Sequence, residues 1–67
     1  MFRDILLELM EEKRLKQIDL SKATDIPPMT ISGWLNAGRL PDYHALIKLS
    51  LYFEISADYL LGIKEYD

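Results

Sequence analysis

The stretch Gln17-Ile18-Asp19-Leu20-Ser21-Lys22-Ala23-Thr24-Asp25-Ile26-Pro27-Pro28-Met29-Thr30-Ile31-Ser32-Gly33-Trp34 carries two short helical patterns separated by a tandem proline. The first begins near Lys16 or Gln17 and sets Leu20, Ala23 and Thr24 on one side, toward a core. It must stop at Asp25-Ile26-Pro27-Pro28, because proline has no N–H to donate and holds its predecessor extended. Pro28 suits the first position of a second helix, where an N–H would have had no partner. Pro27, kept extended, takes the N-cap place. Asn36-Ala37-Gly38 ends this helix, with Gly38 as a left-handed stop. Helices over about 17–24 and 28–36 joined by about three residues form a helix-turn-helix arrangement.

Three further helices are predicted around this pair. Ile5, Leu6, Leu9 and Met10 give one apolar stripe on a helix from about 3 to 14. Asp42, after Pro41, caps a helix over 42–53 with Leu46, Leu49, Ser50 and Phe53 inward. Ser56 caps a short helix, 56–61, ended by Gly62, and the tail from Lys64 to Asp67 carries no signal. Stretches of period two, internal repeats and low-complexity segments are not evident. The expected fold is all-α: one compact five-helix domain over 1–67.

Composition narrows the function. The 67 residues suffice for one domain, with 49% hydrophobic and 28% charged residues, the balance of a globular protein. Cysteine is absent, so neither a disulfide nor a thiolate metal site is available. No apolar run reaches the roughly 20 residues a bilayer span requires. The opening Met1-Phe2-Arg3-Asp4, followed by Glu8, Glu11 and Glu12, does not read as a signal peptide, and a cytoplasmic location is expected.

The net charge is −3, but it is unevenly spread. Arg3 against Asp4, Glu8, Glu11 and Glu12 leaves residues 1–12 at −3, and Lys64 against Glu54, Asp58, Glu65 and Asp67 leaves 49–67 at −3. Lys13, Arg14, Lys16, Lys22, Arg39 and Lys48 against Asp19, Asp25 and Asp42 give the middle +3. Positive charge therefore gathers around the helix pair, where a phosphate backbone would be met.

At 100° per residue from Pro28, Ser32 falls near ~40°, Asn36 near ~80°, Met29 near ~100° and Gly33 near ~140°. Ile31 and Trp34 lie on the opposite side, near ~300° and ~240°. A narrow apolar face thus backs an outward face of small or adaptable side chains, fit for a DNA major groove.

The run from Leu15 through Ile26 and on through Thr30-Ile31-Ser32-Gly33-Trp34 resembles the phage repressor and Cro-type helix-turn-helix family. Pro41-Asp42, Leu46, Leu49 and Glu54-Ile55-Ser56-Ala57-Asp58-Tyr59-Leu60-Leu61-Gly62 are similar to its fourth and fifth helices, so the likeness runs from about residue 5 to 62. The resemblance implies a lambda-repressor-like fold, with Pro28, Met29, Ser32 and Gly33 at the base-reading positions. It implies phosphate contacts from Gln17, Asn36 and Arg39, with Lys16, Lys22 and Thr30 on the same surface. It places a dimer interface on the fifth helix and the adjoining end of the fourth, at Tyr52, Tyr59 and Ile63. Tyr43, Ile47, Leu51, Tyr52 and Ile63 also exceed what so small a core absorbs.

Three departures from the family pattern stand out. Pro27 replaces a Ser or Thr cap, a loss typically worth about 1 kcal/mol. Asp25 replaces a turn glycine, tolerably, because Asp enters the left-handed region readily. The base-reading positions lack the Arg, Gln or Asn of bidentate contacts, so shape and phosphates must supply more of the recognition.

Plainer readings stand beside these. Met29 also suits a protein contact. Arg39 and Lys22 also read as solvated charges, and Gln17 as a good helix former. Trp34 shares a face with Ile31 and belongs to the core. His44, the single histidine, lacks companions for a metal site. Asp4 and Glu8 sit on an outer helix face without a pocket for acid–base work. Ser21, Ser32, Ser50 and Ser56 have no His–carboxylate set to activate them, and no phosphate loop is present. No enzyme and no cofactor are expected. The expected function is sequence-specific binding of double-stranded DNA by a small regulator, a repressor dimeric on a near-palindromic operator. The alternative is a protein–protein module, for example antitoxin-like, that keeps the fold with weak or lost DNA binding.

Overall fold

A computed structural model describes residues 2–63, and Met1 and residues 64–67 lie outside it. Five α-helices follow one another: α1 Phe2–Glu12, α2 Gln17–Thr24, α3 Pro28–Asn36, α4 Tyr43–Phe53 and α5 Ala57–Leu60. No strand occurs among the described residues. Each helix sends one side chain into complete burial: Leu6, Leu20, Ile31, Leu49 and Leu60. Fully burying such a side chain is worth about 1.5–3 kcal/mol, so this shared burial is the main cohesive term of a chain without staples. Phe2, Leu9, Met10, Ile26, Trp34, Leu35, Ala45 and Phe53 enclose it.

The caps explain where the helices begin. The Asp42 carboxylate accepts from the Ala45 N–H at 2.8 Å and the Ser56 hydroxyl oxygen from the Tyr59 N–H at 3.1 Å. At α2 the Lys16 N–H donates to the Asp19 carboxylate at 2.9 Å, satisfying the backbone ahead of the first turn. At α3 no side chain caps, as expected of Pro27. Thr30 and Ile31 donate to the Pro27 carbonyl at 3.0 and 3.3 Å. The two prolines also remove two donors that a cap would otherwise have to satisfy, which lightens the loss.

The helix ends are less conventional. α1 stops at Glu12, not at the expected Arg14, because Arg14 adopts φ 55° and the Leu15 N–H turns back to the Met10 carbonyl at 2.8 Å. α2 ends at left-handed Asp25 (φ 58°) and α4 at left-handed Glu54 (φ 57°). These two ends share one design. The Ser21 hydroxyl donates across Asp25 to the Ile26 carbonyl, and the Ser50 hydroxyl donates across Glu54 to the Ile55 carbonyl. Pro27 and Ser56 then follow as the N-cap residues of α3 and α5. This recurrence at a fixed spacing is a short internal repeat that the residue pattern does not announce.

One inward residue of α2 is corrected. Ala23 is exposed, and Ser21 is buried with Leu20 and Thr24. A polar residue takes the inner position because both hydroxyls there are satisfied locally: Ser21 as described, and Thr24 by donating to the Leu20 carbonyl at 2.6 Å. The buried face of α3 is wider than expected and includes Leu35.

A left-handed residue with a Cβ is strained relative to glycine. Arg14→Gly and Glu54→Gly should each raise stability by about 0.5–1 kcal/mol, read as a higher melting temperature by circular dichroism. Gly62→Ala, at φ 82°, should lower it by a similar amount.

Candidate nucleic-acid interface

α3 is held from behind and free in front. Ile31, Trp34 and Leu35 are buried, and the Phe2 ring meets Trp34 edge-on at 5.6 Å and 82°. Arg3 reaches 32 residues along the chain to donate its Nε–H to the Leu35 carbonyl at 2.7 Å. A cation at a helix C-terminus both satisfies an orphan carbonyl and opposes the helix dipole. Arg3 and Phe2 thus tie the far end of α3 to α1, a role invisible from residue spacing. Ser21 fixes the other end by locking the turn that delivers α3.

The front of α3 gathers most of the expected readers. Met29, Ser32, Gly33, Asn36, Ala37 and Arg39 line one shallow depression. Met29 is 86% exposed, the most exposed large apolar side chain among the described residues. Asn36 donates its amide to the Ser32 hydroxyl at 3.0 Å, which couples two polar side chains of this face. Pro28 stands exposed at the tip.

Thr30 lies apart, in a depression with Ile26, Pro27, Asp42, His44, Ala45 and Lys48. Lys48 donates to the Asp25 carbonyl at 3.4 Å, which sets a cation beside the turn. Residue type alone does not single out Lys48 for this surface. Gln17 is half-buried as the first residue of α2, with Lys16 exposed before it and Lys22 exposed in the last turn.

The residues expected at a dimer interface divide. Tyr52 is half-buried against the core, its ring 5.0 Å from Phe53 and capped by Lys13 Nζ at 5.5 Å. Tyr59 is also half-buried, whereas Ile63 is 71% exposed. The apolar surface concentrates instead on α4 and the start of α5. There Tyr43, Leu46, Ile47, Ser50, Leu51 and Ala57 line a groove, with Tyr43 and Leu51 each 73% exposed.

No group of metal-ligating side chains occurs among the described residues, and no helix among them is long and apolar enough to cross a membrane. A family model described as helix-turn-helix matches residues 6–60. No curated protein and no solved structure matches the chain significantly.

Removing the Ser21 hydroxyl leaves the buried Ile26 carbonyl without its partner. Ser21→Ala should cost about 1–3 kcal/mol, seen in urea unfolding as a lower midpoint with an unchanged slope.

Proposed function

Since this chain belongs to the helix-turn-helix family of the phage repressor and Cro type, we propose that it binds double-stranded DNA sequence-specifically as a small non-enzymatic transcriptional regulator, a repressor. The observation that carries this reading is the two-sided character of α3. Its inner face is fixed by Ile31, Trp34, Leu35, Phe2 and Arg3, and its outer face is open, with Met29, Ser32, Gly33 and Asn36 outward. A helix so held enters a major groove without loss of core packing.

In this reading α3 lies in the groove with Pro28, Met29, Ser32 and Gly33 toward the base edges. Gln17, Lys16, Lys22, Thr30 and Asn36 border the phosphates. Pro28 and Met29 give apolar contact, suited to a thymine methyl, and Ser32 one hydrogen bond. So short a set of readers distinguishes few base pairs. Two copies on a near-palindromic operator, with recognition helices about 34 Å apart, double the sequence read. The second copy docks on α5 and the adjoining face of α4, where Tyr59, Ile63 and the exposed Tyr43, Ile47 and Leu51 supply apolar contact. Tyr52, half-buried on α4, borders this interface.

A second reading rests on Met29. An apolar side chain that exposed, beside exposed Pro28, suits a protein contact, and the chain is then an interaction module.

Salt separates the two. Titrating a labelled random-sequence duplex by fluorescence anisotropy should show binding at low salt that weakens steeply as salt rises, because phosphate contacts release counterions. Absence of binding at low salt overturns the DNA reading and favours the module, whose apolar contact is insensitive to salt and lost in Met29→Asp. Sedimentation equilibrium checks the pairing: Leu51→Glu should shift the wild-type dimer to monomer while leaving the helical spectrum unchanged.

A further inference from the structure

The base-reading positions of α3 carry no guanidinium, yet the stem of an arginine passes beside one of them. Arg39 follows left-handed Gly38 (φ 69°), which turns the chain back toward α3, and its N–H donates to the Gly33 carbonyl at 3.1 Å. The Arg39 stem then runs over Gly33. A Cβ placed on Gly33 would stand 3.1 Å from Arg39 Cδ, 3.8 Å from Cγ and 3.9 Å from the Arg39 Cβ. A side chain at residue 33 therefore requires the Arg39 stem to shift by a few tenths of an ångström. Arg39 itself is exposed and shares its depression with Met29, Ser32 and Asn36. Among the described residues its guanidinium has no acidic partner.

We infer that Arg39, rather than a residue of α3, is the principal base reader, and that it recognises a guanine in the major groove. The inference rests on the DNA reading of this face and deepens it. Gly33 lies in mid-helix, where alanine is the better helix former, so its presence there calls for a local cause. The passage of the Arg39 stem is that cause. The stem is guided by Gly33 along its length and anchored by the Arg39 N–H at its root, so the guanidinium reaches the outer face with less freedom to lose. Its planar fork matches guanine O6 and N7. Arg39 is thus a specificity residue, distinct from the phosphate contact that the family resemblance implies for it.

The test begins by selecting the preferred duplex from a random pool with the wild-type protein, then measuring each single-base substitution of it. Arg39→Ala should flatten preference at one guanine per half-site by roughly ten- to a hundredfold and leave preferences elsewhere in place. Wild-type protein on a duplex with 7-deazaguanine at that position, which lacks N7, should lose most of the same preference. If Arg39→Ala instead weakens every sequence equally and reduces the salt slope by about one, Arg39 touches phosphate and the inference is overturned. If the wild-type protein binds no duplex at low salt, the DNA reading falls first and this inference with it.

Discussion

Ile31, Trp34 and Leu35 hold α3 from behind while the Phe2 ring edges onto Trp34 and the Arg3 guanidinium clamps the Leu35 carbonyl. A helix of nine residues has no independent stability in water, so its shape and placement come from these contacts alone. The same contacts decide what the outer face can be. With the inner half committed to packing, the outer half is released from any structural duty and can carry Met, Ser, Gly and Asn, which contribute nothing to the core. A small protein without disulfides thereby separates stability from recognition on two sides of one helix.

Charge follows the same division. The acidic residues collect on the terminal segments, and the cations gather between residues 13 and 48. Lys48 lies beside the α2–α3 turn and Arg39 beside Gly33, so two cations from later in the chain border different parts of the helix pair. Screening limits the reach of the distant acids to about a Debye length, ~8–10 Å, so near these cations the local charges weigh most.

Much of the fold was legible because single residues with unambiguous chemistry mark its boundaries. Pro28 opens α3, Asp42 and Ser56 cap α4 and α5, and Gly38 and Gly62 take positive φ. The five helices follow from these signals and from the apolar stripes. What was not legible has a common origin. Arg14 and Glu54 are not residue types that advertise a left-handed turn, so the residue pattern runs α1 two residues too far. Ala23 looks like a core residue and Ser21 does not, yet hydrogen bonds inside the turn make the polar side chain the buried one. At the site, helical spacing located the outer face of α3. It gave no sign of Arg3 or of the path of Arg39, because both depend on contacts between segments that only the folded chain brings together. Tyr52 illustrates the same limit: its apolar body counts as surplus in the sequence, but Phe53 and Lys13 occupy it.

The paired turns after α2 and α4 carry a consequence for the order in which the molecule assembles. Each is closed by a serine and a carbonyl five residues apart, the shortest of loops, and needs no distant partner. The α1–α3 clasp joins positions 32 residues apart, and its closure carries of order 1–2 kcal/mol more chain entropy. The local corners therefore close at lower entropic cost than the clasp. The placement of α3 accordingly leans on the N-terminal residues Phe2 and Arg3, which lie far in sequence from its outer face.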